Sequence, residues 1–275
     1  MFYLLLAIAS SAMVSILMRL SGKRTSSDIG LLSVNYLMCT ALSLLFAGGM
    51  EMGPLLHITA AMGAVNGVFY LAGFLLLQWN VKKNGVVLSA TFMKLGLLVA
   101  MVISVCFFRE IPSLLQGLGF ALAVTAIVLI NYRKDGAAAG AKWGLLWLLL
   151  CGGMADGMSK VFEEVGPGGF GDPFLFFTFL TALGLCVAVM MVKGGFPGKW
   201  ELVYGLMIGI PNFFSSKFLL RSLQDIPAVI AYPVYSVGGI LLVTMVGVLA
   251  FRERLRRLQW AGMGLILVAL VLLNI

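Results

Sequence analysis

The stretch Phe108-Arg109-Glu110…Leu115-Gln116…Gly119…Leu122…Ala126…Val128-Leu129…Asn131 is written twice in this chain. It recurs 143 residues later as Phe251-Arg252-Glu253…Leu258-Gln259…Gly262…Leu265…Ala269…Val271-Leu272…Asn274, with eleven of twenty-four positions identical. Each copy reads as a helix end, a short charged turn and a second apolar helix. A duplicated helical unit in so apolar a chain points to a membrane transporter built from two structural repeats.

The composition supports lipid as the solvent. Hydrophobic residues make up 61% of the 275 residues and charged residues 11%, with a mean hydropathy of +1.05. Soluble domains carry about 25% charged residues. Apolar runs long enough to span a bilayer fall at 2–20, 30–48, 55–79, 85–107, 113–132, 143–162, 173–192, 201–222, 227–250 and 258–274. The expected fold class is therefore an all-α integral membrane protein of ten transmembrane helices, arranged as two inverted five-helix repeats. The expected repeats are residues 1–132 and 143–275. The polar break 133–142 links them.

The repeat reaches beyond the hairpin. Arg19 corresponds to Lys160, and Gly63-xxx-Gly67 to Gly205-xxx-Gly209. Glycines four apart let helix backbones approach closely in lipid. Five spans per half is odd, so the second half enters the membrane upside down. The charges agree: basic turns follow spans 1 and 3 in the first half, and spans 7 and 9 in the second.

The net charge of +8 sits in these turns, which the positive-inside rule explains and which speaks against nucleic-acid binding. Turns after odd-numbered spans, with the linker, carry thirteen Lys or Arg; the other side carries three. This count makes the basic side cytoplasmic and places both termini outside a bacterial-type inner membrane. The N-terminal run has no preceding basic segment and reads as an uncleaved first helix. Cys39, Cys106, Cys151 and Cys186 lie in apolar runs without metal spacing, and read as buried apolar side chains. His57 has no partner pattern and reads as a helix-start residue near the membrane surface.

The turn Arg109-Glu110-Ile111-Pro112 with Gln116 and Gly119, its counterpart Arg252-Glu253 with Gln259 and Gly262, and the run Ala228-Val229-Ile230-Ala231-Tyr232-Pro233-Val234 resemble the drug/metabolite transporter superfamily, EamA type. The resemblance covers the whole chain as two repeats. It implies a secondary transporter, often an exporter of amino acids, metabolites or toxic compounds, with a central cavity between the halves. Members commonly keep both termini in the cytoplasm and carry basic residues after spans 2 and 4; here those turns are nearly bare. Leu255 stands where Pro112 would recur.

Polar residues at bilayer depth are the candidate substrate-binding groups. Lys94, in the middle of span 4, costs about 2.5–3.5 kcal/mol at that depth and so should face a cavity or a partner. It reads as a counter-charge for an anionic or zwitterionic substrate, or as the structural partner of Asp156, the deepest acid. Asp156, Lys160 and Glu163/Glu164 share one helix face. Lys217 follows Pro211 and Asn212 in span 8, where proline frees a backbone carbonyl. Tyr36, Asn66, Tyr70, Tyr232 and Tyr235 complete the set, Asn66 and Tyr70 sharing a face.

No enzyme signature is present: GxSxG, HExxH and a Walker loop are all missing. The expected protein is not an enzyme and uses no cofactor or metal. It is an exporter or facilitator of a small amino-acid-like or anionic metabolite, working by alternating access. Its partners are the small-molecule substrate, the lipid bilayer and a proton or other coupling ion, and it acts as a monomer or homodimer. The competing readings are a lipid-linked intermediate flippase and a non-transporting membrane scaffold or sensor.

Overall fold

The computed structural model describes residues 1–22, 24–47, 54–84, 92–93, 95–131, 142–249 and 257–273. Among these, all regular structure is helical and there are ten helices. They are α1 (Phe2–Ser21), α2 (Asp28–Phe46), α3 (Pro54–Asn84), α4 (Leu97–Phe108), α5 (Leu114–Asn131), α6 (Lys142–Val165), α7 (Gly171–Lys193), α8 (Lys199–Leu223), α9 (Ala228–Leu249) and α10 (Arg257–Leu273). One helix falls on each expected span. Seven are long and apolar enough to cross a membrane; the described parts of α4, α5 and α10 are shorter. Large apolar side chains such as Leu114, Val192 and Phe107 stand exposed on the helices or at their ends, as they do where lipid completes the packing.

Local chemistry sets the helix ends. Ser27 caps α2 by accepting from the Gly30 N–H at 3.0 Å. Arg109, at φ 57°, closes α4 in the left-handed region, and its N–H reaches back to the Ser104 carbonyl. Ser113 and Gln116 then open α5 with a reciprocal capping box: Ser113 Oγ accepts from the Gln116 N–H at 3.2 Å, and Gln116 Oε1 from the Ser113 N–H at 3.0 Å. The Arg109-Glu110 turn is thus a stop signal, with a start signal at Ser113, four residues after Arg109. The second copy of that turn, residues 251–256, lies outside the described residues, as does Lys94. His57 is exposed near the start of α3, as expected.

The helices pack into two compact units: residues 1–71 with 161–224, and residues 72–160 with 225–275. Each unit draws on both sequence halves, so packing groups the chain differently from the tandem repeat. In the first unit, α1 lies against α8, and α2 against α7 and α8. The glycine pair of α3 seats on α7: a Cβ on Gly63 would meet the Phe174 carbonyl at 2.8 Å, and one on Gly67 would meet Thr181 Cβ at 2.7 Å. The corresponding pair of α8 seats on α2, where Gly205 faces the Leu31 carbonyl at 3.0 Å and Gly209 the Asn35 carbonyl at 2.9 Å. In the second unit, α5 lies against α10, and α9 against α4, α5 and α10.

Candidate functional site

Span 2 places Asn35, Tyr36 and Cys39 along the α2 face that meets α7 and α8. Asn212, one residue after Pro211 within α8, donates to Asn35 Oδ1 at 3.2 Å and to Cys39 Sγ at 3.7 Å. Cys39 Sγ in turn donates to the Gly209 carbonyl at 3.3 Å. The close approach that Gly209 permits is what brings that carbonyl within reach of a thiol.

Phe179, fully buried on α7, joins two of the candidate tyrosines. The Tyr36 ring stacks on it at 6.3 Å, and the Tyr70 ring meets it edge-on at 6.0 Å. The Tyr70 hydroxyl shares a hydrogen bond with Ser216 Oγ at 3.4 Å. Asn66, one turn before Tyr70, donates from Nδ2 to Thr178 Oγ1 at 3.4 Å. The Thr178 hydroxyl proton is already committed to the Phe174 carbonyl at 2.9 Å. Asn66 Oδ1 is left without a donor among the described residues although the side chain is fully buried. A buried amide carbonyl with no partner costs about 1–3 kcal/mol. Four candidates from the sequence, Tyr36, Asn66, Tyr70 and Asn212, therefore come together in one unit, on α2, α3 and α8 around α7.

Lys217 belongs to the same unit and is paired. Its Nζ lies 2.7 Å and 2.9 Å from the two Asp172 carboxylate oxygens, and 4.1 Å from the centre of the Phe46 ring. The pair lines a cavity of about 270 Å³ at the ends of α1, α7 and α8, together with Tyr3, Arg221 and Gln224. The Arg221 guanidinium lies over Tyr3 at 5.9 Å and donates to Gln224.

Asp156, Tyr232 and Tyr235 fall in the second unit. The Tyr232 hydroxyl, on a fully buried ring, donates to the Asp156 backbone carbonyl. Asp156 and Tyr235 are part-buried. The structure does not test the pairing of Lys94 with Asp156.

Glu110 directly follows Arg109 in the repeated turn, but its Oε1 lies 2.7 Å from Nζ of Lys160, a residue 1% exposed near the end of α6. The other oxygen, Oε2, accepts from Ser104 Oγ and from the Ala228 N–H at 2.7 Å and the Val229 N–H at 3.4 Å. One carboxylate thus holds the α4–α5 turn, α6 and the N-terminus of α9, where an anion is favoured by free amides and the helix dipole. Burial raises the Glu110 pKa, but Lys160 and Ser104 outweigh it and hold it below the usual carboxylate value of 4.5. A depressed folded-state pKa stabilises fully above the unfolded value and is lost as pH falls through the folded one. Wild type is therefore expected to lose stability on acidification below pH 4.5, and Glu110→Gln to lose less over that range, measured by thermal unfolding in detergent.

Glu201 was also not singled out by sequence. It is buried, and Oε1 accepts from the Ser26 N–H at 2.6 Å and the Ser27 N–H at 3.1 Å, while Oε2 accepts from the Gly198 N–H at 3.1 Å. The available signal was Glu at the third position of α8 after a glycine. Among the described residues no group of His, Cys, Asp and Glu is arranged to hold a metal ion, and the four cysteines are free. Cys106, read as buried, is exposed on α4, while Cys39 and Cys186 are buried.

The sequence pattern of the EamA-like transporter family matches residues 1–132, and that of the Small Multidrug Resistance protein family matches residues 175–266. The membrane protein YvaE of Bacillus subtilis is 35% identical over 98 residues, covering 33% of this chain and 82% of YvaE. An uncharacterized protein of Haemophilus influenzae is 24% identical over 272 residues, covering 94% of this chain and 92% of its own. A crystal structure superposes with a TM-score of 0.74 at 13% identity, covering 98% of this chain and 94% of the other, which is a likeness of fold. The chain is an integral membrane protein of the EamA-like transporter family, in the drug/metabolite transporter superfamily.

Proposed function

We propose that the protein is a secondary transporter that moves a small amino-acid-like or anionic metabolite by alternating access between two inverted repeats. The observation that carries this reading is the set of Tyr36, Asn66, Tyr70 and Asn212 on the helices packed against α7, with a buried Asn66 carbonyl that has no donor among the described residues. A protein selected for stability alone would fill that position with an apolar residue. A carbonyl held without a donor suits a state of the cycle in which the donor is elsewhere. The exchange of contacts between the halves supports the repeat: the α3 glycines seat on α7 and their α8 counterparts on α2. Energy comes from a proton, another ion or the substrate gradient. Lys94 meets the substrate anion in this reading, and the basic turns mark the cytoplasmic side.

Asn66→Leu separates function from folding. The variant removes a polar group with no donor among the described residues and keeps the branched four-atom side-chain skeleton, so its stability is expected to stay equal or rise by about 1 kcal/mol. Transport is expected to fall at least about tenfold, the loss of one hydrogen bond to the solute or to the alternate conformation. Full transport activity in a folded Asn66→Leu variant contradicts the proposed role. Lys94→Ala is expected to abolish transport while leaving expression and folding nearly intact, as a cavity-facing Lys leaves no buried partner unpaired. Full activity in that variant removes Lys94 from the site.

A further inference from the structure

The cavity beside Lys217 has a charge pattern that the transport reading does not use. Two cations one helical turn apart, Lys217 and Arg221, face a single carboxylate, Asp172, and the walls of Leu175, Phe218 and Tyr3 are apolar. Lys217 is held in place by Asp172 and by the Phe46 ring. Arg221 is tied to the protein by one nitrogen through Gln224, which leaves further guanidinium donors to offer. The position is equally informative. Arg221 lies in the last turn of α8, Asp172 is the second residue of α7, and Tyr3 is the second residue of α1. All three helices are candidate membrane spans, and the ends of spans are where a bilayer places its headgroups.

We propose that this cavity binds a zwitterion of phosphoethanolamine type, its phosphate on Arg221 and Lys217 and its primary ammonium on Asp172. A simple anion would enter against the Asp172 carboxylate, and a simple cation against Lys217 and Arg221; a ligand carrying both charges meets each with its complement. Arginine forks match phosphate oxygens, and the apolar walls suit the glycerol end of a lipid. The chemistry has two sources, an aminophospholipid headgroup or the free phosphoethanolamine. The proposal stands apart from the transport reading, because its readout is stability and not flux.

The test is thermal unfolding of the purified full chain in detergent. Titrants are dioleoyl phosphatidylethanolamine, the matching phosphatidylcholine, the matching phosphatidylglycerol, and soluble O-phosphoethanolamine. A bound ligand raises the unfolding temperature by mass action. Phosphatidylethanolamine is expected to bind about tenfold more tightly than the other two lipids, the effect of one charge-assisted hydrogen bond from the ammonium. Asp172→Asn is expected to bring phosphatidylethanolamine and phosphatidylglycerol within about twofold of each other, a ratio read within one variant and insensitive to its overall stability. Arg221→Gln is expected to weaken all three lipids together. An equal shift from soluble O-phosphoethanolamine assigns the site to the free compound; a shift from the diacyl lipid alone assigns it to the headgroup. Equal stabilisation of wild type by all three lipids, no stabilisation by any titrant, or an undiminished preference in Asp172→Asn overturns the proposal.

Discussion

Glu110→Ala is expected to destabilise the protein by about 3–5 kcal/mol, the cost of breaking a buried ion pair by removing one partner. Lys160, 1% exposed, would lose the carboxylate that lies 2.7 Å from its ammonium. Ser104 and the first amides of α9 would lose their shared acceptor in the same step. The double change Glu110→Ala with Lys160→Met is expected to recover most of the loss, because the desolvated ammonium goes with its partner. Chemical or thermal unfolding in detergent checks both. Equal instability of the single and double variants would mean that the α9 amides, and not Lys160, depend on Glu110.

Gly67→Leu is expected to be as damaging. A Cβ there would lie against the Thr178 carbonyl and 2.7 Å from Thr181 Cβ, so α3 could not stay seated on α7. Overpacking costs about 1–3 kcal/mol where neighbours can shift; here the obstacle is helix backbone, and the upper end applies. Gly209→Leu should match it, since Met38 Cβ and the Asn35 carbonyl lie within 2.9 Å of the added Cβ. Gly184→Ala is the control, because nothing lies within 4 Å of its added Cβ. If the two glycine pairs are equivalent parts of a repeated unit, the two leucine variants lose stability by similar amounts. Loss in one alone would make the sequence correspondence accidental.

The architecture was legible because lipid imposes simple rules. Run length located ten helices, and the one span reaching well past its reading, 55–79 against α3 at Pro54–Asn84, continues through Lys82 and Lys83, whose charges had suggested a turn. Charged side chains do not by themselves end a helix, and the Lys83 ammonium lies over the Trp79 ring at 4.6 Å. The glycine pairs announced close packing, but a sequence does not say which helix comes close, and the answers α7 and α2 needed coordinates.

The candidate site was legible in part. Polar residues at depth had to meet something: Tyr36 and Tyr70 meet Phe179, Asn66 meets Thr178, and Asn212 meets Asn35. Phe179 gave no signal, being one phenylalanine among nineteen. Charge pairs were read less well. Arg109 adjoins Glu110 in sequence, but the left-handed turn at Arg109 leaves Glu110 to Lys160 and to the start of α9. Lys217 finds Asp172 45 residues away on another helix, a separation at which no local periodicity operates.

The most direct measurement is flux through reconstituted protein. Vesicles containing wild type or Asn66→Leu are loaded with a mixture of amino acids and small organic anions, given a proton gradient, and sampled inside and out by mass spectrometry. The account predicts that wild type redistributes at least one of these solutes and that the Asn66→Leu variant, folded and equally abundant, does so at least about tenfold more slowly. Identical distributions across wild-type, variant and empty vesicles would contradict it.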